Sequence, residues 1–144
     1  MTFAGLNWLA VLASSVAAFV AGGLWFSPKT FFPLWWKAMG RKEGENPAAG
    51  MNMGLVFGST FAGQFAQATA MAVLVSLARR AAGGDAFGAA QGALVGLVVG
   101  SGIAAASSLS HRLFSGHGYK VWLIEVSSDV VNLTLMGAIL AAWP

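Results

Sequence analysis

The chain has 144 residues, of which 57% are hydrophobic and 9% charged, where a soluble domain carries roughly a quarter charged residues; a mean hydropathy of +0.70 is that of a membrane protein. With no cysteine in the sequence, disulfide frameworks, thiolate metal sites and cysteine nucleophiles are excluded. The formal charge of +3 comes from Lys and Arg residues scattered at segment ends rather than striped along one face, which argues against a nucleic-acid partner.

Four stretches are long enough to cross a hydrocarbon core, which takes about 20 apolar residues: Gly5 to Phe26, Met51 to Ala78, Ala86 to Ser110 and Val121 to Trp143. A chain in lipid must satisfy its own backbone hydrogen bonds, and these stretches lack the period-2 alternation of barrel strands. The expected fold is therefore an all-α integral membrane bundle, a single domain over residues 1–144. The first stretch has no basic n-region and runs into LWFSP, so it reads as a retained span rather than a cleaved signal peptide.

After the first span, PKTFFPLWWKAMGRKEGENP mixes Phe31, Phe32, Trp35 and Trp36 with Lys29, Lys37, Arg41 and Lys42. Aromatic rings settle at headgroup level and basic ends reach toward water, so residues 28–42 read as a short interfacial helix, a lipid-facing anchor in preference to a binding surface. Trp8 with Trp25, and Trp122 with Trp143, bracket the first and last spans like two aromatic belts. Lys29, Lys37, Arg41, Lys42, Arg112 and Lys120 lie in the first and third loops, against Arg79 and Arg80 in the middle one. The positive-inside rule then puts the two basic loops in the cytoplasm and both termini outside, as in a bacterial inner membrane.

The third span carries Gly88, Gly92, Gly96 and Gly100, continuing in Ala104 and Ser108. Helices in lipid associate by close backbone packing, and small residues four apart are the device. The second span repeats it in Gly50, Gly54, Gly58, Ala62 and Ala66, and the first offers Ala13, Ala17 and Ala21. Such glycine-zipper faces imply intimate contacts inside the subunit, between subunits, or both.

In the last span Glu125, Asp129 and Asn132 share a helical face with Met136. A carboxylate deep in the bilayer costs at least ~2.5 kcal/mol unless it is protonated, paired or wet. Matching depths across antiparallel hairpins brings Asp129 and Asn132 near Thr60 and Gln64 of the second span, which shares a face with Gln67. The expected cluster is Thr60, Gln64, Gln67, Glu125, Asp129 and Asn132, serving either as interhelical glue or as a proton or cation relay. Glu125 is shallow enough to reach water or to pair with Arg112 or Lys120.

His111 and His117 lack a third ligand nearby and make a poor metal site. Phosphate-cradling, GxSxG and HExxH motifs are absent, so no cofactor is expected and no catalytic constellation is present.

Asn7 and Trp8 opening the first span, the LWFSP turn from Leu24 to Pro28, the Trp-containing segment from Trp35 to Gly40 and the ending MGAILAAW, Met136 to Trp143, together resemble domain of unknown function 1761. That family comprises small bacterial and fungal membrane proteins. The resemblance covers essentially the whole chain and implies four membrane helices, with no established activity and no catalytic or binding residues to carry over. Glu125 and Asp129 depart from its pattern, which favours neutral or other polar residues there.

These features favour a small non-enzymatic membrane protein acting through helix packing, as a homo-oligomer or an accessory subunit of a larger complex in the bilayer. The alternative is a small oligomeric transporter or proton-coupled channel using Asp129 and Glu125.

Overall fold

The structure, a computed structural model, describes residues 5–42, 44–83 and 87–143. Ala86, the expected first residue of the third span, lies outside the described residues. Helix α1 covers Trp8–Trp25, α2 Phe32–Ala38, α3 Met53–Ala81, α4 Ala89–Val99, α5 Ala106–Phe114 and α6 Gly118–Ala142. A π-helical turn over Gly100–Ala105 joins α4 and α5 into one long helix. The fold is all-α, with four helices long and apolar enough to cross a membrane: α1, α3, α4 with α5, and α6.

Local chemistry sets the helix ends. Asn7 and Asn52 accept hydrogen bonds from the backbone N–H groups of Ala10 and Leu55, both at 3.1 Å, and so cap α1 and α3. At the far end of α1, the Thr30 hydroxyl lies 2.6 Å from the carbonyl oxygens of both Leu24 and Trp25, orphan acceptors of the last turn. Trp25 stacks on Phe31 with ring centroids 4.3 Å apart, which folds the chain back into α2. Beyond the C-cap Ser115 of α5 the chain turns at Gly116, whose φ of +79° suits glycine; the N–H groups of Gly116 and His117 return to the carbonyls of Leu113 and Arg112.

Helix α6 is the centre of the bundle, packing against every other helix. Its tightest neighbour is α4. A Cβ built on Gly92 would strike the Gly137 carbonyl oxygen and Ala141, one on Gly96 would lie 2.6 Å from the Leu133 carbonyl carbon, and one on Gly100 2.9 Å from the Val130 Cα. The rising glycine numbers meet falling α6 numbers, so the two helices run antiparallel with backbones in direct contact.

The expected small-residue faces divide here. Gly88 is the N-cap of α4 rather than a packing position, in extended backbone with its N–H held by Gln91 Oε1 at 3.0 Å. Gly54 meets only Asn52 of its own helix, and Gly58 has nothing within 4 Å. In α1 the buried face is Ala10, Val11, Ser14, Ser15 and Ala18, continued by Gly22, rather than Ala13, Ala17 and Ala21, which are half-buried. The hydroxyls of Ser14 and Ser15 donate to the Val11 carbonyl at 3.0 and 2.7 Å. Their polarity is satisfied within the helix, so the face packs as if it were small and apolar.

Helix α3 is bound unevenly. Its buried residues, Ala68, Met71, Ala72 and Val75, all lie in the C-terminal half, whereas residues 54–60 are exposed throughout. The N-terminal half touches α1 through Phe19, edge-on to Phe57 at 6.3 Å and Phe61 at 5.6 Å. That splay opens a cleft toward α6.

Candidate functional site

The cleft lies between α2, the N-terminal half of α3, α5 and α6, and has a volume of about 1130 Å³. Glu125 and Asp129 line it, a turn apart on α6; by helical rise they stand about 10 and 16 Å from the start of that helix, which puts Asp129 near its middle. Opposite them are Thr60 and Phe57 of α3, Ser108 and Arg112 of α5, and Trp35 and Trp36 of α2.

Both oxygens of Glu125 are used. Arg112 Nε lies 2.5 Å from Oε2, and Trp35 Nε1 donates to Oε1 at 3.0 Å. The Gly116 turn brings the end of α5 alongside the start of α6 and so presents Arg112 to Glu125. The Trp35 bond ties α2 to the bundle. Asp129 has no hydrogen bond or ion pair among the described residues. Thr60 lines the cleft but donates its hydroxyl to its own helix, to the Val56 carbonyl at 2.8 Å.

The rest of the expected cluster is spread out. Asn132, 3% exposed, continues the Glu125–Asp129 face a turn further on, and its Nδ2 is 3.5 Å from a Cβ built on Gly22 of α1. Its Oδ1 and the Oε1 of Gln64 are buried without a hydrogen-bond partner among the described residues. Gln67 is exposed and outside the cleft. Taking 100° per residue, Gln64 lies roughly 30° from the centre of the buried stripe of α3 and Gln67 roughly 90°, so two glutamines of similar direction fall on different sides of the packing edge.

The tryptophans differ in how far they are exposed and in what their indole N–H groups meet. Trp8 and Trp143 are 47% and 43% exposed. Trp25, Trp35 and Trp122 direct the indole N–H to other helices, Trp25 to the Ile124 carbonyl at 3.1 Å, Trp35 to Glu125 and Trp122 to the Ala105 carbonyl and Ser108 Oγ, both at 3.2 Å, whereas Trp36 donates locally to the exposed Lys42 carbonyl at 3.0 Å. An indole N–H removed from water needs an acceptor. For Trp122 one of the two acceptors is the carbonyl of Ala105, the last residue of the π turn.

The sequence offers Arg112 as one of two partners for Glu125, but it carries no signal that Trp35 reaches the same carboxylate or that Ser108 joins the lining. The α2 aromatics fit a lipid interface by composition, and only the docking of α2 brings the Trp35 indole to Glu125.

Residues 9–141 match the model of a family described as a protein of unknown function, DUF1761. No curated protein and no solved structure matches the chain.

Proposed function

The chain belongs to the DUF1761 family, and from that premise and the geometry of the cleft we propose that it is a small proton-coupled membrane transporter in which Asp129 exchanges the proton. The observation that carries this is an acid without a partner, half-way along a membrane helix, at a cleft of about 1130 Å³. Structural glue would pair such a group, because a lone carboxylate at that depth costs at least ~2.5 kcal/mol; Glu125, with Arg112 and Trp35, meets that description and Asp129 does not. The basic loops that frame the cleft are assigned to the cytoplasmic face by the positive-inside rule. Arg79, which counts against that bias, donates to the Ala141 carbonyl at the end of α6 and stacks over Phe87 at 5.8 Å, so it has a structural role where it stands.

The test is reconstitution into liposomes with an internal pH dye. An imposed gradient, with inorganic and organic cations supplied on the opposite side as exchange partners, should drive proton flux, and Asp129→Asn should lower it by about tenfold or more. Flux that is absent from the wild type, or unchanged in the variant, overturns the reading.

A second reading, assembly as a homo-oligomer or as an accessory subunit, is favoured by the outward side of α3. Gln67 is exposed at mid-helix among Gly63, Ala66 and Ala70, also exposed. An amide facing hydrocarbon costs roughly 2 kcal/mol or more without a partner, and small neighbours let another helix approach to supply one. Crosslinking in mild detergent should show an oligomer that Gln67→Leu weakens. A wild-type monomer, or an oligomer indifferent to that change, counts against a homo-oligomer formed through this face.

A further inference from the structure

The charges of the cleft leave one negative group uncompensated. Arg112 neutralises Glu125 at 2.5 Å and Arg41 lies 3.8 Å from Glu45. Asp129 is then the lining carboxylate with no basic group in ion-pair contact among the described residues; Arg112, held by Glu125, acts on it only through space. The walls around it are apolar and soft, with Phe26, Phe32, Trp36, Phe57, Met39 and Met53 among them. A volume of about 1130 Å³ is far more than a proton path or a bare inorganic ion needs, and is of the size that holds a drug-like body.

These properties select a charge and a shape. Aromatic faces attract cations through the ring quadrupole, and the attraction grows where water is excluded. An anion would meet both Asp129 and those faces unfavourably. A neutral body would sit beside the protonated carboxyl without displacing its proton, and so would not be coupled to it. A dication would exceed the single free charge.

Resting on the reading of Asp129 as the coupling group, we propose that the cleft binds a bulky apolar organic monocation of the phosphonium or quaternary ammonium class, in exchange for the proton of Asp129. When the cation enters, the protonated carboxyl loses its proton to solvent and the resulting carboxylate pairs with the cation, so one proton leaves for each cation bound. The other titratable or charged groups lining the cleft are Glu125, Arg112, Arg41 and Glu45, and the first two are engaged with each other.

The experiment uses the purified full chain in detergent, with tetraphenylphosphonium as probe and tetraphenylborate, its anionic counterpart in shape, as control. Tetraphenylphosphonium should change the emission of the cleft tryptophans saturably, bind more tightly as pH rises, and release about one proton per cation into a weakly buffered solution. Asp129→Asn should weaken binding by about tenfold or more. Thr60→Phe, at an exposed lining position whose hydroxyl serves only its own helix, should leave the fold intact and fill the cleft, weakening binding even if Asp129→Asn fails to fold. Binding of tetraphenylborate as tight as that of the cation, or cation binding that neither substitution alters, would overturn the proposal. If the cation does not bind while Asp129-dependent proton flux persists, the ligand class falls and the proton reading stands. If the cation binds through Asp129 without releasing a proton, the exchange is overturned and the ligand class stands.

Discussion

Glu125 shows how a charged residue is held inside an apolar bundle: an arginine on one oxygen and an indole N–H on the other. The two bonds differ in what their loss costs. Arg112 is 41% exposed, so water screens the ion pair; Glu125→Gln, which keeps an acceptor for Trp35, should lower stability by about 0.2–1 kcal/mol. Glu125→Leu also removes the acceptor and leaves the indole N–H unsatisfied, adding about 1–3 kcal/mol. Denaturant titration in mixed micelles reads both, and equal losses would show that the Trp35 bond contributes nothing. Asp129 lacks such hydrogen-bonded or ion-pair partners among the described residues, so Asp129→Asn should cost little stability while removing the group proposed to exchange the proton. The same titration, run beside the flux assay, separates those two effects.

At the scale of elements, two glycine runs that look alike in sequence do different work. Gly92 and Gly96 lie against the α6 backbone, and Gly137 faces them from α6 with a Cβ position that would strike Gly92. Gly58 and Gly63 of α3 have nothing within 4 Å. Gly96→Ala should therefore destabilise the fold by about 1–3 kcal/mol or more through overpacking. Gly58→Ala and Gly63→Ala should be neutral or stabilising by up to about 1 kcal/mol, the helix-propensity difference. If the three variants melt alike, the α4–α6 contact is not the tight one. Because the α4 glycines are used within the subunit, their substitution should damage the monomer rather than merely separate an assembly. The π turn after Gly100 belongs to the same contact: α4 follows α6 closely up to Val130, and beyond the turn α5 brings Ser108 and Arg112 to the cleft.

For the whole molecule, antiparallel packing puts the start of α1 and the end of α6 at one end of the bundle, with α2 and the α5–α6 turn at the other. The native chain has no cysteine, so a single introduced cysteine reports its own side of the membrane without background. Phe114→Cys, at a position 93% exposed, should be labelled by an impermeant maleimide only from the cytoplasmic face, and Arg80→Cys only from the opposite one. The reverse pattern would invert the assignment of the cleft to the cytoplasmic side.

The sequence by itself determined the number and type of the long helices. Hydropathy over about 20 residues is a local property that needs no knowledge of neighbours. It also placed Glu125 and Asp129 on one face at successive depths, because helical rise and twist are constant. Tertiary structure alone decided that Gln64 turns inward and Gln67 outward, that α1 uses Ala10, Ser14 and Ala18 rather than Ala13, Ala17 and Ala21, and that Trp35 of α2 reaches Glu125. In water an apolar stripe would have announced the inner face of each helix. In lipid every apolar face is equally well solvated, so direction is set by which backbones fit closely and which polar groups find partners, and both depend on the neighbouring helix.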